Sequence, residues 1–227
     1  AVESVRDGYE GVSVLLAHGE QALPMLQEAY RDSTRRQDQV IYAHVLGIMG
    51  DATGLEILIE EVETSLDLGD GYEYRGMGHD HTRRRMSQED SLILAMGYAR
   101  DRRAIPAILN KLELLDVDKP FSHHYAIAVA LETIKDPTAA APLADLLSGP
   151  DMSGHAIQTL EEAIRREETP LGNVSRRSSF REIVLARALF RCGDKDGLAR
   201  KILKEYTQDL RGHFARHANA ILASNPE

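Results

Sequence analysis

A chain of 227 residues, 43% hydrophobic and 28% charged with a formal net charge of -9, has enough material to bury one large core or two small ones. Its one cysteine forms no internal disulfide, and no apolar run approaches the roughly 18 residues of a membrane-spanning helix. No basic stretch followed by an apolar one opens the chain, so the expectation is a soluble protein without a targeting segment, its compartment left open, and Ala1 fits a processed or excised piece.

Leu (27) and Ala (26) together outnumber Val, Ile and Thr (11, 14 and 9), which favours helices. Apolar residues recur at spacings of three and four, and two-residue alternation bounded by hairpin dipeptides is missing. The expected class is all-α. A first helix pair surrounds Gly19-Glu20, with Leu23, Leu26 and Tyr30 on its second helix. Four further pairs centre on Asp51, Asp101, Asp136 and Asp194. Five residues before each aspartate stands Leu46, Met96, Leu131 or Leu189; six before stands Val45, Ala95, Ala130 or Ala188; three after stands Gly54, Ala104, Ala139 or Gly197. Stripes such as Leu55, Leu58, Ile59, Val62 and Ile105, Ile108, Leu109, Leu112 follow. Each aspartate is expected to cap the helix after it, Gly50 and Gly193 to end the helix before it, and the small column to allow close helix approach.

Gly47-Ile48-Met49-Gly50-Asp51 and Arg191-Cys192-Gly193-Asp194 carry a resemblance to HEAT-like repeats, in which a Gly-Asp or similar turn joins two antiparallel helices. The resemblance implies a right-handed α-α superhelix, an α-solenoid of about five helix pairs forming a single domain over residues 1–227. The aspartates are spaced 50, 35 and 58 apart, and only the middle value has ordinary repeat length. Insertions are therefore expected at about 66–88 and 149–178.

The first insertion holds Tyr72, Tyr74, Arg75, His79, His81 and Arg83 among glycines and acids. A loop longer than about 12 to 15 residues in a compact domain is usually functional or disordered, so these six residues are the candidate partner surface. The alternative is a solvated excursion whose tyrosines only anchor it. A metal reading of His79 and His81 with Asp67 or Asp70 lacks the Cys and His spacings of structural zinc, and Asp67-Leu68-Gly69-Asp70-Gly71 lacks the calcium-loop frame. His123 and His124 open a helix and are expected to satisfy its first turn or to face the neighbouring pair, while His213 and His217 share one face of the last helix beside its apolar stripe, where packed core histidines are expected over ligands. Ser179-Phe180-Arg181-Glu182 reads as a capping box opening the last repeat.

Arginine outnumbers lysine 21 to 6 and clusters at Arg35-Arg36, Arg83 to Arg85, Arg102-Arg103, Arg165-Arg166 and Arg176-Arg177. With a net charge of -9 and 5% aromatics, these are read as solvated helix faces and nucleic-acid binding is disfavoured. The His-Glu dipeptides of deoxyhypusine hydroxylases are missing. The phycobilin lyases fit on architecture alone, with no chromophore-holding residue to name. No catalytic or nucleotide motif occurs, so no catalytic residue, metal or cofactor is expected. Tyr74-Arg75-Gly76-Met77-Gly78, Arg191-Cys192-Gly193-Asp194 and Asp209-Leu210-Arg211-Gly212-His213-Phe214-Ala215-Arg216-His217 resemble the helical carboxy-terminal region of bacterial FAD-dependent oxidoreductases, which implies an accessory domain whose flavin-binding part lies elsewhere. The reading is a non-catalytic scaffold for a protein partner or another domain of the same polypeptide, with the concave face and the first insertion as the places to look.

Overall fold

Each repeat turns on its aspartate. The Thr53 amide donates to Asp51 Oδ1 at 2.8 Å, the Arg103 amide to Asp101 Oδ1 at 3.0 Å and the Thr138 amide to Asp136 Oδ1 at 2.9 Å. Asp194 reaches further, taking the Ala199 amide at 2.7 Å. The Arg102 side chain and Thr138 hold the Asp136 carboxyl down at about 2.

The residue before each aspartate ends a helix in the left-handed region, with φ of 84° at Gly50, 55° at Arg100, 59° at Lys135 and 123° at Gly193. At Gly50 and Gly193 the next amide completes the turn, Asp51 N donating to the Leu46 carbonyl and Asp194 N to the Leu189 carbonyl, both at 2.9 Å. Arg100 and Lys135 hold the same conformation against their own Cβ atoms. Arg100→Gly and Lys135→Gly are each expected to stabilise the fold by about 0.5 kcal/mol, read as a higher urea midpoint with unchanged slope.

The computed structural model describes residues 15, 17–72, 86–165 and 173–224. Its helices are α1 (Gly19–Asp32), α2 (Arg36–Ile48), α3 (Leu55–Thr64), α4 (Gln88–Tyr98), α5 (Ile105–Leu112), α6 (Phe121–Ile134), α7 (Ala140–Leu147), α8 (Leu160–Arg165), α9 (Asn173–Cys192), α10 (Leu198–Thr207) and α11 (Gly212–Ser224). Among the described residues there is no strand, and no helix is long and apolar enough to cross a membrane.

Helices α2, α4, α6 and α9 stack in chain order as one layer, and α3, α5 and α7 pack behind them as a second, with α10 against α9. Helix α1 covers α2 at one end and α11 covers α10 at the other. The fold is an α-solenoid, with four complete helix pairs among the described residues. One apolar core runs from Ala43 to Ile221, and a smaller one lies beneath α1 around Leu26, Tyr42 and Leu46.

Small residues set the spacing of the first layer. A Cβ placed on Gly47 would lie 2.7 Å from the Ala95 carbonyl oxygen, and one on Gly97 would lie 2.4 Å from Ala130 Cα. The position four before one aspartate therefore seats on the position six before the next. At the third junction that position is Glu132, which is ion-paired to Arg187 and Arg191 of α9. In the small column Gly54 is required by close approach, its Cβ position being 2.4 Å from Ala43 Cβ. Gly197 meets nothing within 4 Å and is there for its φ of 71°.

Candidate functional site

Both insertions join a helix of the second layer to the next helix of the first, so both emerge at one end of the array, opposite the aspartate turns. The foot of the first insertion is tied down by polar groups. Lys111, 4% exposed, donates to the carbonyls of Ser65 at 2.6 Å and Asp67 at 3.3 Å, and burial pulls its pKa down. The Tyr72 amide donates to Ser122 Oγ at 3.0 Å while the Ser122 amide donates to the Tyr72 carbonyl at 3.1 Å. Gly71 lies against the His123 ring, where a Cβ would meet Nε2 at 2.7 Å. Beneath it His123 Nδ1 donates to Asp90 Oδ1 at 2.7 Å, and both side chains are sealed from solvent at 2% and 0% exposure.

Of the six residues expected to form a partner surface, only Tyr72 lies among those described. Its ring stands edge-on to Phe121 at 6.5 Å, half-buried against the core. It is an anchor of the insertion's foot. Tyr74, Arg75, His79, His81 and Arg83 lie outside the described residues.

The second insertion is clamped by charges whose role the sequence does not reveal. Glu182, 1% exposed, accepts from the Gly154 amide at 2.7 Å, the His155 amide at 2.9 Å and the Tyr206 hydroxyl at 2.7 Å. Asp209 accepts from the Ile157 amide at 2.9 Å and takes a two-pronged bond from Arg211, whose Nη2 also donates to the His155 carbonyl. Burial works against charge at Asp209, yet the bonds from Arg211 and the two amides outweigh it and hold the carboxyl below its usual range. Arg181, 2% exposed, donates to the carbonyls of Val117 and Asp151. Ser179 is no helix cap: α9 already runs from Asn173, and the Ser179 hydroxyl donates sideways to the His155 carbonyl at 3.0 Å.

His123 and His124 are packed structural groups, whereas His217 is half-buried and His213, expected to be packed, is exposed. His124 places Nδ1 3.1 Å from the Pro120 carbonyl and Nε2 3.0 Å from that of Asp116. Burial, assisted by the nearby Arg181 charge, depresses its pKa to about 4. His213 stacks on Phe214 and Phe180, whereas His217 faces Arg187 at 3.4 Å, so the pair shares no ligand position. Among the described residues no three His, Cys, Asp or Glu side chains gather as a metal site. Cys192 is core, and burial pushes its thiol up to about 12.

An unfolded histidine titrates near 6.5, so the stability held by neutral His124 is whole above that pH and is lost as pH falls toward 4. His44, His213 and His217, also depressed chiefly by burial, add to the same slope. The urea midpoint is therefore expected to fall between pH 6.5 and 4, and less steeply in His124→Gln; identical slopes would remove His124 from the account.

Beside the first insertion lies a groove with a cavity of about 700 Å³ between α2, α3 and the start of α4. Val40, Ile41 and Leu92 form its apolar wall, Gln37 and Gln88 its exposed amide rim. Buried His44 lies at its floor, hydrogen-bonded to the Ser91 backbone. Arg36 lies at one edge, bound by Glu61 at 2.9 Å and Glu60 at 2.7 Å.

No protein-family model matches the chain, and no curated protein sequence matches it either. Among solved structures it is similar to the complex of CpcE and CpcF of phycocyanin lyase from Nostoc sp. PCC7120, at 21% identity and a TM-score of 0.43 over 88% of this chain and 75% of that one. At that score the likeness bears on neither chemistry nor partners.

Proposed function

We propose that residues 1–227 form a single, non-catalytic repeat domain that holds a protein partner, or another domain of the same polypeptide, at its insertion end. The observation that carries this reading is the mounting of the insertions. Both leave the array at one end, and their described ends are fixed by buried polar groups, Lys111 and Ser122 for the first and Glu182 and Asp209 for the second. A loop held on a rigid base loses less freedom when it binds. The Asp90 and His123 pair, which has the residue types of an acid-base site, is sealed in the core and so supports a structural role. On this reading Tyr74, Arg75, His79, His81 and Arg83 contact the partner, and Tyr72 fixes the base from which they project.

The accessory-domain alternative rests on three short stretches. The structure supplies a local reason for part of the longest, since Asp209 and Arg211 clamp the second insertion and Phe214 packs in the core beneath the Arg211 guanidinium. The test is Tyr74→Ala and Arg75→Ala, made separately in the protein as it occurs in its source. Each is expected to weaken the native assembly at least tenfold, with the melting temperature changed by less than about 2 °C, as for a surface substitution. A large fall in melting temperature without loss of assembly would make the insertion purely structural.

A further inference from the structure

Charge is distributed unevenly along the array. Residues 17–72 hold eleven carboxylates against three arginines, whereas residues 173–224 hold eleven lysines and arginines against five carboxylates. Much of that positive charge is committed: Arg181 to backbone carbonyls, Arg187 and Arg191 to Glu132, and Arg211 to Asp209. The exposed face of α10 is not. Its Arg200, Lys201 and Lys204 line a groove of about 480 Å³ with Gln158 and Gly197, and Glu205 is the one carboxylate among the described lining residues. The ammonium groups of Lys201 and Lys204 have no hydrogen bond or ion pair among the described residues. Arg200 Nε lies 3.9 Å from Asp194, a carboxyl already taken by the Ala199 and Arg200 amides. Exposed neighbours cancel in pairs, Lys195 with Asp196 and Glu161 with Arg165. An apolar face adjoins the groove. The Gln158 side chain donates to the Glu205 carbonyl at 3.0 Å, and two residues on Leu160 opens α8, whose start is fixed by reciprocal bonds between Thr159 and Glu162. Leu160 and Ile164, one turn apart, are 70% and 63% exposed. Leu210, 56% exposed, is tied to the same segment, its amide donating to the Ile157 carbonyl at 2.8 Å.

We propose that this surface receives an acidic segment of a protein partner, whose aliphatic side chains lie on Leu160, Ile164 and Leu210 while its carboxylates reach Arg200, Lys201 and Lys204. The proposal rests on the partner-binding reading and adds the partner's chemistry. The two faces select together. A basic segment meets repulsion at α10, and an acidic segment without aliphatic side chains leaves the α8 face wet. The exposed apolar side chains are aliphatic, so a nucleic-acid strand finds no ring here on which to stack its bases. Attraction between exposed charges steers association and weakens with salt.

The test uses a fluorescein-labelled ten-residue peptide of glutamate and leucine, titrated by anisotropy beside glutamate-serine and lysine-leucine peptides of equal length and a ten-nucleotide single-stranded DNA. The glutamate-leucine peptide is expected to bind saturably, at least tenfold tighter than any control, and to weaken at least tenfold between 50 and 300 mM salt by the general dependence of exposed charge pairs on screening. Lys201→Gln with Lys204→Gln is expected to weaken it at least tenfold. Leu160→Ser with Ile164→Ser is expected to do the same without touching the charges. All four side chains are exposed, so both variants fold, read as a melting temperature within about 2 °C of the parent. Equal binding of the glutamate-serine peptide or of the DNA, binding indifferent to either variant, or no saturable binding overturns the surface. If that happens while Tyr74→Ala still disrupts the native assembly, the surface fails and the module reading stands; if Tyr74→Ala also leaves the assembly intact, both fail.

Discussion

Gly97→Ala is expected to cost about 3 kcal/mol, which for a domain of this size lowers the melting temperature by about 6 to 12 °C. The added methyl would sit 2.4 Å from Ala130 Cα and 2.6 Å from its Cβ, so helices α4 and α6 must move apart. Both are packed on their other faces, α6 by α9 and α4 by α2, and the strain spreads to two junctions. Removing Ala130 Cβ relieves one of the two contacts. Gly97→Ala with Ala130→Gly is therefore expected to show a favourable coupling of about 1 kcal/mol without full rescue. Thermal melts of the two single variants and the double variant check this, and additive losses would mean that the layer spacing is not set at this contact.

Glu182→Ala is expected to cost about 4 kcal/mol, because two backbone amides and the Tyr206 hydroxyl lose one buried acceptor together. The loss has a location. Hydrogen exchange is expected to quicken first at Gly154 and His155, then across residues 149–158, while the amides of α4 and α6 hold until global unfolding. Glu182→Gln keeps an acceptor and should lose roughly half as much. Uniform acceleration across the chain would mean that Glu182 supports the array generally and not the second insertion.

The repeat was legible because its signals are local and physical. An aspartate placed to cap the helix after it, a glycine before two of the four aspartates, and small or apolar residues six and five before and three after all show as columns in the sequence, whereas the left-handed Arg100 and Lys135 and the close contacts of Gly47 and Gly97 do not. The exposed arginines were legible for the same reason: Arg36, Arg102 and Arg103 keep 49%, 72% and 54% of their side chains exposed and pair on the surface. The buried charges were hidden because their partners are distant in sequence. Arg181 bonds a carbonyl 64 residues away, and Asp209 an amide 52 residues away. The Ser179 cap was misread for a related reason, since a hydroxyl followed three residues later by glutamate is a helix start only if the chain upstream is not already helical. Here Ser179 and Glu182 face one way inside α9 and hold the second insertion together. In the candidate site, Tyr72 was visible as an aromatic in a long loop, but its pairing with Ser122, 50 residues on, was not.

The most direct test of partner binding is native mass spectrometry of the protein isolated from its source without denaturant, compared with its covalent mass after denaturation. The account predicts an assembly containing a second protein, or a covalent chain heavier than 25.2 kDa whose further domain contacts the first insertion. Flavin absorption in that assembly would move the chain to the accessory-domain alternative. A single chain of 25.2 kDa that stays alone under both conditions would contradict the account.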